Sequence, residues 1–217
     1  MTEDDLYDYD ALRRRDVPTV YVAGVKTPTL VLGGHQSRGV LSPIAVSHTP
    51  VRRRRGGGGL VLLRPNDLWI DWWIPHDDGR WSHDVRVSSL LVGSWWASAL
   101  QGRTARPVKV HSGALAGSDA HRVVCFAGRG PGEVFVSDRK AVGLTQWRVR
   151  EGIFISTVLP AGATTDVLGY LEDVPDGLAT ALDHHTLSSL SIGDREGLVD
   201  ELVAMSSPWD VQSHLLV

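Results

Sequence analysis

A chain of 217 residues, 42% hydrophobic and 22% charged, reads as a globular protein with one sizeable core. Its net charge of −3 argues against bulk electrostatic binding to nucleic acid, and it has no run of about 18 apolar residues to cross a membrane. The acidic opening MTEDDLYDYD is the reverse of a secretory leader, and the single Cys125 cannot form an internal disulfide, so a cytoplasmic chain is expected.

Residues 1 to about 15 read as a short helix or a mobile arm. TVYVAGVKTPTLVLGGHQ then predicts two strands rich in Val, Leu and Thr, and GVLSPIAVS a short helical or irregular crossover. GLVLLRPNDLWIDWWIP holds two more strands around a Pro-Asn-Asp turn. Val87, Leu90, Leu91, Trp95 and Ala99 recur at helical spacing, and Gly102 ends that helix. Farther on, Gly-Pro-Gly, Ser-Asp-Arg and Arg-Glu-Gly break an apolar stretch into an antiparallel meander. From about residue 163 the tail reads as pieces of helix. Strands and helices mix without regular βαβ alternation, which predicts an α+β fold, with mixed or antiparallel sheets and flanking helices, in one domain over residues 1–217.

The stretch RRRRGGGGL, residues 52–60, stands between two core-like segments. Its glycines let a ligand come against bare backbone, and its arginines supply charge for carboxylate or phosphate. An anion-holding loop, a solvated turn and a nucleic-acid patch all fit. It is neither a phosphate-binding GK[ST] loop nor a dinucleotide-binding glycine motif. Lys140, at a strand start, is either an exposed cation or one that polarises a carbonyl; in a regular strand it shares a face with Gln146, Arg148 and Arg150. Cys125, taken as a strand residue between Val124 and Phe126, is either a small buried hydrophobe or a thiolate nucleophile. The neighbouring His184 and His185 and the other histidines lack zinc spacing, so no metal site is assigned. The pairs Trp72–Trp73 and Trp95–Trp96 read as packing residues.

Three segments in order, PTLVLGGHQSRGV, RRRRGGGGLVLL and CFAGRGPGEVFVSDRKAVGLTQWR, resemble the lipoate ligase and octanoyltransferase branch of the biotin/lipoate protein ligase superfamily. The match runs over roughly residues 28 to 150. It implies the α+β catalytic domain shared by biotin ligases and class II aminoacyl-tRNA synthetases, with no separate C-terminal accessory domain. It also implies attachment or transfer of a lipoyl or octanoyl group to a lysine of a lipoyl-acceptor domain, such as 2-oxoacid dehydrogenase E2 or the glycine cleavage H protein. The acyl source is lipoate or an octanoyl carrier. Transfer through a cysteine thioester is favoured over ligation; no cofactor is tightly bound, and ATP and Mg2+ are needed if the chain is a ligase. A non-catalytic relative that binds acyl ligands or lipoyl domains is the alternative.

Residue by residue, Lys140 matches the family's lysine at the acyl carbonyl, and Cys125 the nucleophile of the thioester-forming members, with Glu133 between them. Arg53, Arg54, Gly56, Gly57 and Gly58 match the glycine-rich loop that leaves a tunnel for an aliphatic chain. Asn66 matches an asparagine after that loop, Gly143 the glycine that lets the strand pass close to the ligand, and Thr145, in the same segment, is a further substrate-binding position that the resemblance implies. Arg55 stands where the family has Ser or Thr, Leu62 and Leu63 where the ligases have His-Asp, and FISTVLP where a His-Gly is usual.

Overall fold

A computed structural model describes residues 5–117, 120–185 and 192–215. In chain order the elements are α1 (Tyr9–Arg13), β1 (Thr19–Gly24), β2 (Thr29–Leu32), β3 (Val51–Arg53), β4 (Val61–Leu63), β5 (Leu68–Pro75), α2 (Val85–Gln101) and β6 (Val108–Val110). They continue with α3 (Ala120–Val123), β7 (Val134–Val136), β8 (Arg139–Val149), β9 (Gly152–Leu159), α4 (Leu178–His185), α5 (Ile192–Ser206) and β10 (Asp210–Leu215). Seven strands form one mixed sheet in the order β10-β1-β5-β9-β8-β7-β6, and β3-β2-β4 form a smaller second sheet. The expected α+β class is the one observed.

The large sheet is buried on both faces, because β5 and β9 are buried at every position. On β5, Leu68, Ile70, Trp72 and Ile74 meet α2 and α5, while Trp69 and Trp73 point into a second core shared with the small sheet. This alternation is the two-residue period of a strand, and it divides an apolar run between two cores. Trp72, Trp73 and Trp96 are fully buried, in keeping with packing roles.

The antiparallel meander β7-β8-β9 forms as expected. Three expectations need correction, and β3 adds a strand that the sequence reading did not contain. The α2 helix ends at Gly102, but its buried face carries Ser88, Ser89, Val92, Gly93, Trp96, Ala99 and Leu100, so Val87 lies outside it. The helix turns its small residues inward because a side chain on Gly93 would sit 2.2 Å from the Gly132 carbonyl oxygen. The strand β3, which carries Arg52 and Arg53, pairs parallel with β2, a pairing that no periodicity marks. The helical tail ends instead in β10, which pairs parallel with β1. Cys125 is not in a strand: it opens a 3-10 turn, Cys125–Ala127.

At the N-terminus the short-helix reading is the one found. Tyr7, Tyr9 and Leu12 are buried, and the Leu6 N–H donates to the Arg53 carbonyl at 2.9 Å. The side chains of His184 and His185 lie outside the described ones.

Candidate active site

Two glycine turns nest against each other at the centre of the site. The Gly34 N–H donates to the Gly56 carbonyl at 2.8 Å, and a side chain on Gly33 would begin 1.9 Å from the Gly58 carbonyl oxygen. Only bare backbone allows this approach. Gly58 also has φ +89°, a left-handed conformation that disfavours side chains.

The arginines hold this backbone in shape. Arg54 is buried, and its guanidinium donates to the carbonyls of Val31 (3.2 Å), Gly57 (2.9 Å) and Gly59 (2.7 Å). Burial holds its pKa below the usual arginine range. Arg53 donates to the carbonyls of Gly33 (2.9 Å) and Gln36 (2.7 Å) in the facing turn. Arg55 pairs with Asp5 at 2.9 Å and lies over the Tyr9 ring, fastening the N-terminal segment to the loop. The charge expected for an anion is thus directed at main-chain oxygens of the chain itself.

Beyond the loop, the Leu60 N–H donates to the Val123 carbonyl and the Cys125 N–H to the Leu60 carbonyl. These bonds tie the cysteine turn to the glycine loop. A side chain on Gly58 would begin 3.5 Å from Cys125 Sγ.

Lys140 is not exposed. Its ammonium sits 2.8 Å from Glu133 Oε2 and donates to the Cys125 carbonyl at 3.1 Å, beside the Phe126 ring. A register shift opposite Val134/Phe135 separates Lys140 from the regular part of β8. Gln146 and Arg148 reach Ser89 and Ser88 of α2 instead, so the shared face expected with Lys140 is not kept. Glu133 is fixed in turn by the Gly130 N–H at 2.6 Å.

A cleft of about 740 Å³ opens beside these residues, and Gly57, Gly58, Cys125 and Thr145 are all on its walls. Thr145 donates to the Gly57 carbonyl at 3.0 Å, joining β8 to the loop. A side chain on Gly56 would meet Thr145 at 2.8 Å, and one on Gly143 would meet the Phe126 ring at 3.0 Å, so these glycines serve packing near the cleft. Lys140, Arg53 and Arg54 lie behind the walls and do not line it. Asn66 is exposed in the turn between β4 and β5 and is not brought to the cleft.

Sequence reasoning passed over His35 and Arg129, which line the cleft, and Gln36, which binds the Val123 carbonyl at 2.8 Å. Two adjacent glycines before polar residues, as in GGHQ, mark a turn, which is the signal in the sequence for this wall of the cleft.

The chain superposes on lipoate-protein ligase A bound with ATP at a TM-score of 0.70, covering 97% of this chain and 82% of that one, with 14% identity. The fold is that of the lipoate-protein ligases. A putative lipoate protein ligase from T. acidophilum with bound lipoic acid gives a TM-score of 0.69 at 12% identity, over 98% of this chain and 83% of that one. A bi-partite lipoate protein ligase from Thermoplasma acidophilum, studied with its E2 lipoyl domain, gives 0.69 at 12% identity, over 97% and 80% of the two chains. No family model and no curated protein matches the sequence. The lipoate-ligase fold is therefore present here at 12–14% identity to these structures. Among the described residues no helix is long and apolar enough to cross a membrane.

Proposed function

We propose that this chain attaches an octanoyl or lipoyl group to a lysine of a lipoyl-acceptor domain, by transfer through Cys125. The observation that carries the reading is the placement of Cys125, Gly57, Gly58 and Thr145 around one cleft in a lipoate-ligase fold. In the first step Cys125 Sγ attacks the thioester carbonyl of an acyl carrier. The new S–C bond forms, the carrier's S–C bond breaks, and the carrier thiol leaves with the cysteine proton. In the second step the acceptor amine attacks the Cys125 thioester carbonyl, an amide C–N bond forms, the Cys125 S–C bond breaks, and a proton from the amine goes to the cysteine sulfur. Lys140 acts from behind the turn, fixing the Cys125 carbonyl and so the position of the nucleophile, while Glu133 balances its charge.

ATP-dependent ligation is the second reading, supported by the ATP-bound ligase of the same fold. It would need groups for the nucleotide phosphates. Arg53 and Arg54 already bind backbone carbonyls, which leaves His35 and Arg129 on the cleft walls for that role. The engagement of both loop arginines with backbone favours transfer. The acceptors in this reading are E2 lipoyl domains, as with the archaeal ligase, and the glycine cleavage H protein.

The test is intact mass of an acceptor domain after incubation with the chain and either an octanoyl-carrier thioester or lipoate, ATP and Mg2+. Acyl addition with the thioester alone, lost in Cys125→Ser, is expected. Addition only with ATP would select ligation, and no addition in either mixture would leave the non-catalytic binding alternative.

A further inference from the structure

We propose that Asp5 is a positioning residue of the active site: acting through Arg55, it holds the glycine run against the Gly33–Gly34 turn and so sets the cleft wall beside Cys125. This rests on the reading that acyl transfer takes place in that cleft.

An ion pair on the surface would carry no such weight, but this one is partly interior. The Arg55 side chain is 46% exposed, whereas that of Asp5 is only 4% exposed, with Oδ2 at 2.9 Å from Arg55 Nη2. A carboxylate withdrawn from water holds its cation firmly, because losing that cation leaves a charge in the interior. The pair spans 50 positions of chain and brings the acidic opening of the sequence onto its arginine run. Arg55 stands where the resembled family has Ser or Thr, and neither of those carries a charge to make this pair.

Residue 55 is held by Tyr9 as well. Its N–H donates to Tyr9 Oη at 3.1 Å, and its guanidinium lies 5.5 Å from the centre of the Tyr9 ring. Tyr9 is buried and set edge-on to Trp147 of β8 and Phe154 of β9, with ring centres 5.0 and 6.1 Å away, so close packing keeps it from following a moving loop. Residue 55 in turn presses on the second glycine turn. A side chain on Gly34 would begin 2.6 Å from the Arg55 carbonyl oxygen, and the Gly34 N–H bonds the Gly56 carbonyl. Gly34 leads straight into His35 and Gln36, which line the cleft with Gly57, Gly58 and Cys125. A displacement at residue 55 therefore passes through Gly56 and Gly34 into the wall beside the nucleophile. Arg54 does not make up for it, since its donors go to Val31, Gly57 and Gly59 and not to residues 55 or 56.

Hydrogen exchange read by mass spectrometry, on Asp5→Asn, Arg55→Ser and Arg55→Lys, tests this without depending on transfer. In Asp5→Asn and Arg55→Ser, exchange is expected to be about tenfold faster in peptides covering residues 33–36 and 54–60, while peptides of β9 keep the wild-type rate. Arg55→Lys keeps a cation for Asp5 and is expected to stay within about threefold of wild type. Octanoyl transfer should follow the exchange, with kcat lowered about tenfold in Asp5→Asn and Arg55→Ser, largely restored in Arg55→Lys, and KM for the carrier thioester unchanged. Wild-type exchange in Asp5→Asn or Arg55→Ser, faster exchange spread over β9 as well, or an Arg55→Lys variant as fast as Arg55→Ser would overturn the positioning role. So would a wild-type kcat in the variants, or a loss carried by KM alone. The expected exchange pattern in a chain that transfers no acyl group would instead sink the transfer reading and leave the hold of Asp5 on the loop standing.

Discussion

Lys140 and Glu133 meet in an ion pair of 2.8 Å whose lysine side chain is wholly buried and whose glutamate is nearly so. Charges taken out of water are stable only together, so removing one partner strands the other. Lys140→Met is expected to cost about 3–5 kcal/mol in urea denaturation, and the double variant Lys140→Met, Glu133→Gln to recover most of that loss. A double variant no more stable than the single one would show that the pair is not what the substitution breaks. Activity lost in a Lys140 variant is meaningful only beside this measurement.

The glycines of the loop separate by the same logic. Gly57 has an open surrounding, whereas Gly58 combines φ +89° with Arg54 Nη2 only 3.1 Å from where a side chain would begin. Gly58→Ala is expected to destabilise the fold by about 1–2 kcal/mol, from the left-handed backbone alone, and Gly57→Ala to stay near wild type. Equal thermal midpoints for the two variants would refute the assignment of strain to Gly58.

Much of this site was legible in the residues, and the parts that were not share a cause. Turn residues and apolar runs marked the glycine loop and the meander because they act locally, whereas Cys125 and Lys140 were singled out by the family resemblance. The role of the arginines was not legible. Whether a guanidinium at residue 54 meets a ligand or the Val31 carbonyl depends on a contact across 23 residues of chain. Lys140 was open between exposed and functional readings because its burial depends on Glu133 and on a register shift that no local pattern marks. The α2 face was misplaced by one position since periodicity counts apolar residues, while Ser88, Ser89 and Gly93 are buried for their small size. β10 gave no signal because its half-buried positions are the polar Gln212 and His214, while Val211 and Leu215 are exposed.

Arg54 supports the loop through the planar spread of its donors, which reach carbonyls of β2 and of Gly57 and Gly59 in the glycine run. An ammonium keeps the charge but not that fork. Arg54→Lys is therefore expected to lose about 2–4 kcal/mol, since carbonyls are left buried without donors. Limited proteolysis should then cut first between residues 54 and 60. Wild-type stability with unchanged cleavage would mean that glycine packing alone shapes the loop.

Asp71 supplies a pH dependence that belongs to the fold and not to the cleft. It is fully buried on β5, where Oδ2 accepts from Tyr7 Oη at 2.7 Å and Trp69 Nε1 at 2.6 Å, and Oδ1 accepts from the Thr157 N–H at 3.1 Å. These donors favour the carboxylate, but burial outweighs them and raises its pKa from the ordinary 3.8 to about 7. Below about pH 4 the folded and unfolded chains both hold the proton. Between about 4 and 7 only the folded chain holds it, so raising the pH through this window favours unfolding, and above it the whole penalty of the buried charge is present. The loss amounts to at most about 4 kcal/mol. Carboxylates held low by arginines, such as Asp78 beside Arg80, lose their contribution as the pH falls and so oppose this trend at the acid end. Asp71→Asn removes the titration while keeping one oxygen for Tyr7 and Trp69. The difference in unfolding free energy, wild type minus Asp71→Asn, should therefore fall steadily from pH 4 to pH 7 in urea titrations and level off above it. A difference that stays flat across this window would show that Asp71 remains ionised in the folded chain throughout.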